Sequence, residues 1–396
     1  MISVEDAQEL CLVLVRPTPR ETVPLHAAHR RTLATSLRAQ RDQPPFAASA
    51  MDGYAIREDD ALEGAVLSVV GEAAAGHAWV GTLGRGQALR IFTGAPVPDG
   101  AGRVVIQENV LRDGARVALS DPIGDNINIR PQGADFSSDF TLNAPRVLSA
   151  ADLALLAAMN HADVPVAVRP KVALIATGDE LLMPGGTPAP DQIIASNVFA
   201  LHAMVADAGG IARIFPIAPD TPEALDAILH NAADWGADIV VTIGGASVGD
   251  HDLVAPALDR FGVTRSFHKI AMRPGKPLMA GAKDRVAFLG LPGNPVSAVV
   301  CGHLFLLPMI RRALGQRDVL PRALTARLGA PLPAGGPRAH YMRARYEDSD
   351  EGRRVIPFDQ QDSAMLSVLA EANCLLLHPI GGNPMALDDS VQIYPV

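Results

Sequence analysis

The sequence is poor in cysteine: three thiols, Cys11, Cys301 and Cys374, are spread over 396 residues. No two of them have a zinc-binding spacing, and three scattered thiols give no framework of disulfide bridges. This composition excludes a disulfide-rich secreted scaffold and fits a reducing cytoplasm.

Long apolar runs are also missing, although 48% of the residues are apolar. No stretch approaches the roughly 20 uninterrupted apolar residues of a membrane span. The first residues, MISVEDAQEL, lack the basic start and apolar block of a secretory signal. We therefore expect a soluble, cytoplasmic protein with no membrane partner.

Positive charge is the third deficit. Lys and Arg number 34 against 43 Asp and Glu, which gives a net charge of −9. Nucleic-acid binding depends on clustered cationic charge, so we expect no nucleic-acid partner. Small anions remain candidate ligands if basic residues are concentrated locally. The length predicts two to four domains.

The most regular part of the chain runs from about 171 to 315. Apolar runs typical of buried strands, at 171–176, 238–243 and 286–289, alternate with segments of helical periodicity. This alternation predicts a doubly wound α/β domain, in which ligands bind beyond the carboxyl ends of the strands. We expect the three turns that follow these strands to lie on the same edge of the sheet.

The flanking regions have a different pattern. Short strand candidates between Gly, Pro and Asp residues predict a β-rich region from about 40 to 143. Helices are predicted at 1–16, with Ser3 and Asp6 in capping-box spacing, and at 149–159. After residue 320 the short strands return, which suggests a small C-terminal β-barrel or sandwich.

The turn GGASVGDHD, residues 244–252, follows the strand at 238–243. A glycine-rich turn after a strand presents backbone N–H groups to an anion, although glycine can serve there only for tight packing. Asp250 and Asp252 would repel a bound phosphate unless a divalent cation lay between them. This turn is therefore interpreted as a phosphate and metal site.

The other two strand exits also carry polar groups. Asp179 and Glu180 follow the first strand, where a solvated loop is the alternative. GLPGNPVS, 290–297, ends on Ser297, whose expected role is to cap the next helix, and a capping serine can also offer its hydroxyl to an oxyanion. Just upstream, prolines stiffen a turn that holds Arg273 and Lys276, which favours an oxyanion clamp over a solvated face.

The N-terminal half contributes Asp52 within SAMDGYA and Thr93 within RIFTGAPVP. Both have structural alternatives, an Asx turn for Asp52 and a strand end for Thr93. Asp135 is a lone loop acid. The local sequence patterns alone do not assign a role to these three residues.

In combination, these segments resemble the molybdopterin molybdenumtransferase family (MoeA, related to the E domain of gephyrin). The matching pieces span most of the chain and are SAMDGYA (49–55), RIFTGAPVP (90–98), VVIQE (104–108), TGDEL (177–181), SN (196–197), GGASVGDHD (244–252), MRPGKP (272–277), GLPGNPVSA (290–298) and RAHYMR (338–343). The first two separate this family from the related adenylyltransferase of the same pathway, which resembles the α/β part.

The resemblance implies an enzyme of molybdenum cofactor biosynthesis that inserts molybdate into adenylylated molybdopterin, assisted by Mg²⁺, and releases AMP. It assigns Mg²⁺ to Asp250 and Asp252, and catalysis to these two with Asp52 and Glu180. The residues expected to bind substrate are Thr93, Asp135, Asp179, Gly244, Gly245, Ser247, Gly249, Arg273, Lys276, Pro277, Ser297, Arg338, Ser363 and Ser367.

The resemblance also implies a homodimer whose cleft draws Asp52, Thr93 and Asp135 from the opposite subunit, and transient contact with other enzymes of cofactor biosynthesis. The domains expected are a discontinuous linker domain (1–40 and 127–168), an inserted β-rich domain (41–126), the α/β molybdopterin-binding domain (169–318) and a C-terminal β-barrel (319–396). The alternatives are the adenylyltransferase reaction and a scaffold similar to gephyrin.

The chain departs from the family pattern near the expected ligand. Arg273 stands where the family's turn has a lysine, which replaces a point donor by a planar fork. Ala47 and Ala48 precede SAMDGYA where many relatives have polar residues, and Ile194 and Ala195 precede Ser196. Contacts to the pterin and adenine are therefore not assigned.

Overall fold

The computed structural model describes residues 1–120, 123–245 and 253–396. A small antiparallel sheet joins the start of the chain to the segment before the α/β region, in the strand order Arg20–Pro24, Asp163–Ala167, Thr32–Leu33, Arg146–Val147. Leu37–Arg38 pairs with Thr141–Leu142 beside it. Helix Ala150–Ala158 begins at Ser149 with a capping box, which confirms the helix predicted at 149–159.

The region between these strands is β-rich, as predicted. It forms a six-stranded sheet in the order Arg103–Ile106, Gly53–Ile56, Gln87–Ile91, Val66–Ala73, Arg116–Leu119, Val110–Asp113. Ala48–Ser49 pairs with Ile129–Arg130 at its margin. Gly53 has to be glycine, because a Cβ atom there would lie 1.9 Å from the carbonyl oxygen of Val105 on the neighbouring strand.

The α/β region contains the predicted doubly wound sheet. Its strand order is Ile211–Ile214, Lys171–Ala176, Ile239–Ile243, Val286–Leu291, Met279–Lys283, Thr264–His268. The first four strands are parallel. Met279–Lys283 is antiparallel to the neighbours on both of its sides, and neither it nor Thr264–His268 was predicted. A two-stranded ribbon, Leu181–Leu182 with Ile193–Ile194, follows the first of the predicted strands.

Helices cover both faces of this sheet. One face packs on Pro222–Asp234 and Val254–Phe261. The other packs on the N-terminal helix Val4–Leu14, on Asn197–Asp207 and on a long helical segment. That segment consists of Pro295–Cys301, the π-helix Gly302–Leu306 and Leu307–Ala313.

The long segment, Pro295–Ala313, is apolar and long enough to cross a membrane by length and composition. However, 78% of it is buried inside the protein, as is usual for a core helix. Its apolar residues, such as Leu304 and Phe305, belong to the core on that face of the sheet.

The C-terminal region is a closed five-stranded barrel, which confirms the barrel alternative of the prediction. The strands follow the order Ala339–Ser349, Gly352–Pro357, Leu324–Leu328, Ser390–Pro395, Cys374–His378, and the last pairs with the first. Helix Leu366–Glu371, which was not predicted, lies between two of these strands. The short strand Met272–Arg273 adds to the barrel beside Ala339 and His340, and so ties the α/β region to it.

The close approach at Gly53 predicts a large loss of stability for Gly53→Ala. Backbone atoms have to move to admit the methyl group, and overpacking of this kind costs about 3 kcal/mol. Gly336→Ala is the control, since a Cβ atom there meets nothing within 4 Å. Urea unfolding followed by circular dichroism should show the loss for Gly53→Ala only. Equal stability of the two variants would contradict the close packing at Gly53.

Candidate active site

Three strand exits meet at one edge of the α/β sheet, as the alternation of strands predicted. Ala176, Ile243 and Leu291 are neighbours across the three central parallel strands. The turns that follow them therefore start side by side. A cavity of about 700 Å³ opens at this edge, and its walls include Thr177, Gly178, Glu180, Ser196, Asn197, Gly244, Gly245 and Gly293.

The glycines Gly244 and Gly245 let the second exit approach the first closely. Both have positive φ angles, 98° and 61°. A Cβ atom at Gly244 would lie 2.6 Å from the carbonyl oxygen of Thr177, and one at Gly245 would lie 2.6 Å from Val254 Cγ2. Only glycine fits at both positions, and the cavity is bounded here by bare backbone.

Carboxylates lie along the first exit. Glu180 lines the cavity, and its carboxylate folds back over Gly178, since a Cβ atom at Gly178 would lie 2.3 Å from Glu180 Oε2. Asp179 instead accepts a hydrogen bond from the backbone N–H of Asp220 at 3.1 Å. Asp220 also lines the cavity, a position that sequence reasoning missed because its strand and turn carry no distinctive pattern.

The acids that the sequence assigns to a metal are not part of the described chain. Ser247, Gly249, Asp250 and Asp252 lie outside the described residues, whose last member before them is Gly245. Within 1–245 and 253–396, apart from 121–122, no group of three or more His, Cys, Asp or Glu residues could hold a metal ion. The metal assignment thus stays a prediction.

A second, smaller cavity of about 310 Å³ adjoins the first, and the two share Pro277, Pro292 and Asn294. Of the residues predicted to bind substrate, this cavity brings together Arg273, Lys276, Pro277, Ser297, Arg338 and Ser363. Sequence reasoning assigned no role to three further polar residues of its wall, Asn294, Gln361 and Asp362. Ser367, also predicted, lies on helix Leu366–Glu371 and lines neither cavity.

The turn that carries Arg273 and Lys276 is fixed from two sides. Met272–Arg273 pairs in parallel with Ala339 and His340, which follow Arg338 directly. Gly275, with φ 112°, packs so tightly that a Cβ atom would lie 2.6 Å from Cys301 Sγ. Lys276 accepts a backbone hydrogen bond from Ile270 at 3.0 Å. Backbone pairing therefore positions the segments that carry Arg273, Lys276 and Arg338.

The opposite wall is held by a buried arginine. Arg343, 1% exposed, donates to the carbonyl oxygens of Met365 and Gln360, each at 3.2 Å. The side-chain amide of Gln361 in turn donates a hydrogen bond to the carbonyl oxygen of Arg343 at 2.9 Å. These bonds fix the segment that includes Asp362 and Ser363 at the cavity.

Ser363 also joins the barrel to the third strand exit. Its hydroxyl accepts a hydrogen bond from Asn294 Nδ2 at 2.9 Å, and its carbonyl oxygen accepts one from the backbone N–H of Val296 at 3.0 Å. The expected cap role of Ser297 is wrong. Helix Pro295–Cys301 starts with Pro295 after Asn294, so Ser297 lies inside the first turn, where it is buried at the wall of the smaller cavity.

The neighbourhood of the smaller cavity is electropositive. Burial, together with Arg273, His378, Arg343 and Arg338, lowers the pKa of His340 to about 4. His340 is thus uncharged at neutral pH, because a further positive charge beside these cations is disfavoured. The wall contains one acid, Asp362, against three cations. An anion of small size suits this charge distribution.

The N-terminal site candidates form a separate cluster. Asp52 Oδ1 accepts hydrogen bonds from the backbone N–H of Thr93 at 2.8 Å and from its hydroxyl at 2.7 Å. These bonds hold the pKa of Asp52 below its ordinary value, so the carboxylate stays ionised. Asp135 lies in an exposed loop and donates its backbone N–H to Gln43. In the described part of the chain, none of these three lines either cavity.

Comparison with known proteins gives three family matches that together span the chain. Residues 2–160 match the MoeA N-terminal region (domain I and II), residues 173–312 match a probable molybdopterin binding domain, and residues 325–396 match the MoeA C-terminal region (domain IV). These boundaries follow the sheet and barrel described above.

Similar proteins carry the same family name. A molybdopterin molybdenumtransferase of Nostoc sp. is 35% identical over 96% of this chain and 91% of its own length. A molybdopterin molybdenumtransferase 2 of Mycobacterium tuberculosis is 34% identical over 100% and 99%. The crystal structure of a molybdopterin biosynthesis MoeA protein from Pyrococcus horikoshii is 27% identical, with a TM-score of 0.86 over 100% of this chain and 99% of that one.

These similarities cover all regions that line the two cavities, from the strand exits to the barrel. The chain belongs to the molybdopterin molybdenumtransferase family, a family of transferases in molybdenum cofactor biosynthesis.

Proposed function

We propose that this protein inserts molybdate into adenylylated molybdopterin and releases AMP, with Mg²⁺ as the activating ion. The observation that carries the proposal is the pair of adjoining cavities at one sheet edge. The larger, about 700 Å³, has room for an organic substrate, and the smaller, about 310 Å³, collects Arg273, Lys276 and Arg338. An oxyanion would thereby be held next to a larger substrate.

The smaller cavity suits molybdate in particular. A tetrahedral dianion needs cations and hydrogen-bond donors from several directions, and charge-assisted hydrogen bonds supply the binding energy. Arg273 and Lys276 approach from the turn and Arg338 from the barrel, while the hydroxyls of Ser297 and Ser363 lie in the wall. Pro277, Pro292 and Asn294 line both cavities, so a molybdate ion in the smaller one would lie next to the substrate in the larger one.

The larger cavity suits the pterin nucleotide. Its glycine-rich wall at Gly244 and Gly245 presents backbone to phosphate oxygens, and Asn197 and Glu180 add polar groups. Mg²⁺ would be held by Asp250 and Asp252, and Glu180 and Asp220, which line the larger cavity, are candidates for further oxygen ligands, since Mg²⁺ prefers carboxylate oxygens. Bound there, Mg²⁺ would neutralise charge on the phosphates during cleavage of the adenylate.

We further propose a homodimer in which Asp52, Thr93 and Asp135 complete the cleft of the partner. The support is that these residues line neither cavity of their own chain, while Asp52 is an accessible carboxylate kept ionised by Thr93. A carboxylate whose pKa is lowered suits contact with a metal ion or a cationic group better than proton transfer near neutral pH. We also propose a cytoplasmic location and transient contact with other enzymes of cofactor biosynthesis.

Two alternative functions lead to different expectations. The adenylyltransferase reaction would form the adenylate from ATP, and purified protein would then consume ATP. A scaffold would need only a surface groove, whereas three cations gathered around one small cavity favour chemistry on an anion.

The direct test incubates the protein with adenylylated molybdopterin, molybdate and Mg²⁺ and measures AMP together with active cofactor. We expect both products, and we expect chelation of Mg²⁺ to stop their release.

Asp252→Asn should nearly abolish AMP release, because an amide lacks the charge that holds a metal ion. Asp234→Asn is the control. Activity of Asp252→Asn within a few-fold of wild type would refute the metal assignment.

The oxyanion cavity predicts a selective defect for Lys276→Ala. Loss of one charge-assisted contact should raise the molybdate concentration needed for insertion about 10- to 150-fold, with a smaller effect on the adenylate. Lys283→Ala is the control, since Lys283 lies over the ring of Phe261 and outside both cavities. If Lys276→Ala raised the required concentrations of molybdate and of the adenylate equally, Lys276 would be assigned to the phosphate site instead.

The shared cleft predicts complementation between two inactive variants. Asp52→Ala and Asp252→Ala chains, mixed and allowed to exchange at random, should form heterodimers with one intact site and restore about a quarter of wild-type activity. Native mass spectrometry reports the exchange. If heterodimers form and no activity returns, each cleft is built from a single chain.

A further inference from the structure

Two threonine hydroxyls in the α/β sheet are buried without a hydrogen-bond partner among the described residues, those of Thr177 and Thr242. Thr177 is 3% exposed and Thr242 is 1% exposed. A buried hydroxyl without a partner destabilises a folded protein, so such groups are rare and require an explanation.

The two threonines occupy different places in the same sheet. Thr242 pairs with Ile175 in the middle of the sheet and lines no cavity in the described part of the chain. Thr177 is the first residue after its strand, and it lines the larger cavity. Only Thr177 is therefore placed to gain a partner when the cavity is filled.

The backbone of Gly244 and Gly245 covers the Thr177 hydroxyl. Cβ atoms at these glycines would lie 3.1 Å and 3.0 Å from Thr177 Oγ1. Because neither residue has a side chain and both have positive φ angles, the peptide between them can change orientation without moving a side chain. The unpaired hydroxyl thus faces a peptide of the cavity wall that has no side chain on either side.

We propose that Thr177 is a positioning residue that orients the Gly244–Gly245 peptide when substrate is bound. The Thr177 hydroxyl then donates to the carbonyl oxygen of Gly244. The N–H of Gly245 belongs to the same peptide and points the opposite way, so it turns toward the cavity and donates to an anionic group of the substrate.

This arrangement explains why an unpaired hydroxyl is kept. The Thr177 hydroxyl has no partner among the described residues. The Gly244 carbonyl becomes its partner when the peptide turns, so the gain in hydrogen bonding adds to the affinity for substrate. That the anionic group is a phosphate of adenylylated molybdopterin rests on the proposed function. The glycine turn and Thr177 by themselves indicate a phosphate or similar oxyanion.

The test compares Thr177→Val with Thr242→Val, since each replaces one unpaired hydroxyl by a methyl group of similar shape. Neither variant should lower the melting temperature of the free protein. Thr177→Val should raise KM for adenylylated molybdopterin about 3- to 10-fold, the effect of one neutral hydrogen bond, and leave kcat unchanged. Thr242→Val should change neither, and Thr177→Ser should restore the wild-type KM.

Calorimetric titration with inorganic pyrophosphate and Mg²⁺ separates the possible failures. If wild type binds pyrophosphate but releases no AMP, the proposed function fails, and the two valine variants are compared by pyrophosphate affinity instead. Weaker binding by Thr177→Val alone supports the positioning role. Equal KM or equal pyrophosphate affinity for the two valine variants overturns it, as does a lower melting temperature that accompanies the weakened binding.

Discussion

Parallel pairing of three buried strands is the constraint on which the site depends. Because Lys171–Ala176, Ile239–Ile243 and Val286–Leu291 run in the same direction with Ala176, Ile243 and Leu291 in register, their turns have to start at one edge. Helices cover both faces of the sheet, so a one-residue slip of a strand would move each of its side chains from one core into the other. The larger cavity follows from this geometry, and its glycines follow from the close approach of the turns.

The barrel adds what the sheet edge lacks, a set of cations opposite the third exit. The pairing of Met272–Arg273 with Ala339 and His340 brings Arg273 and Arg338 to the same cavity. Arg343 holds the facing segment, which bonds to Asn294 through Ser363. Burial of a cation is costly unless its donors are used, and Arg343 meets that requirement with backbone carbonyl oxygens. Positive charge is thus concentrated at the smaller cavity, although the net charge of the whole chain is −9.

Local patterns predicted the regular elements well, and the residues that depend on distant packing poorly. Lys171–Ala176 was predicted with the observed bounds, because it is an apolar run between clear breaks. Met279–Lys283 was missed, since MAGAK has neither a continuous apolar run nor a strict alternation. Ser297 was given a cap role that Pro295 makes impossible by starting the helix earlier. Asp220, Gln361 and Asp362 reach the cavities through tertiary contacts that leave no mark on local sequence.

In the proposed reaction the smaller cavity holds the oxyanion beside the larger substrate. The most direct measurement is anomalous X-ray scattering from crystals soaked in tungstate, a heavy analogue of molybdate with the same shape and charge. The account predicts one strong peak within hydrogen-bond distance of Arg273, Lys276 and Arg338. A dominant peak elsewhere, or none in crystals of protein whose AMP release depends on molybdate, would contradict it.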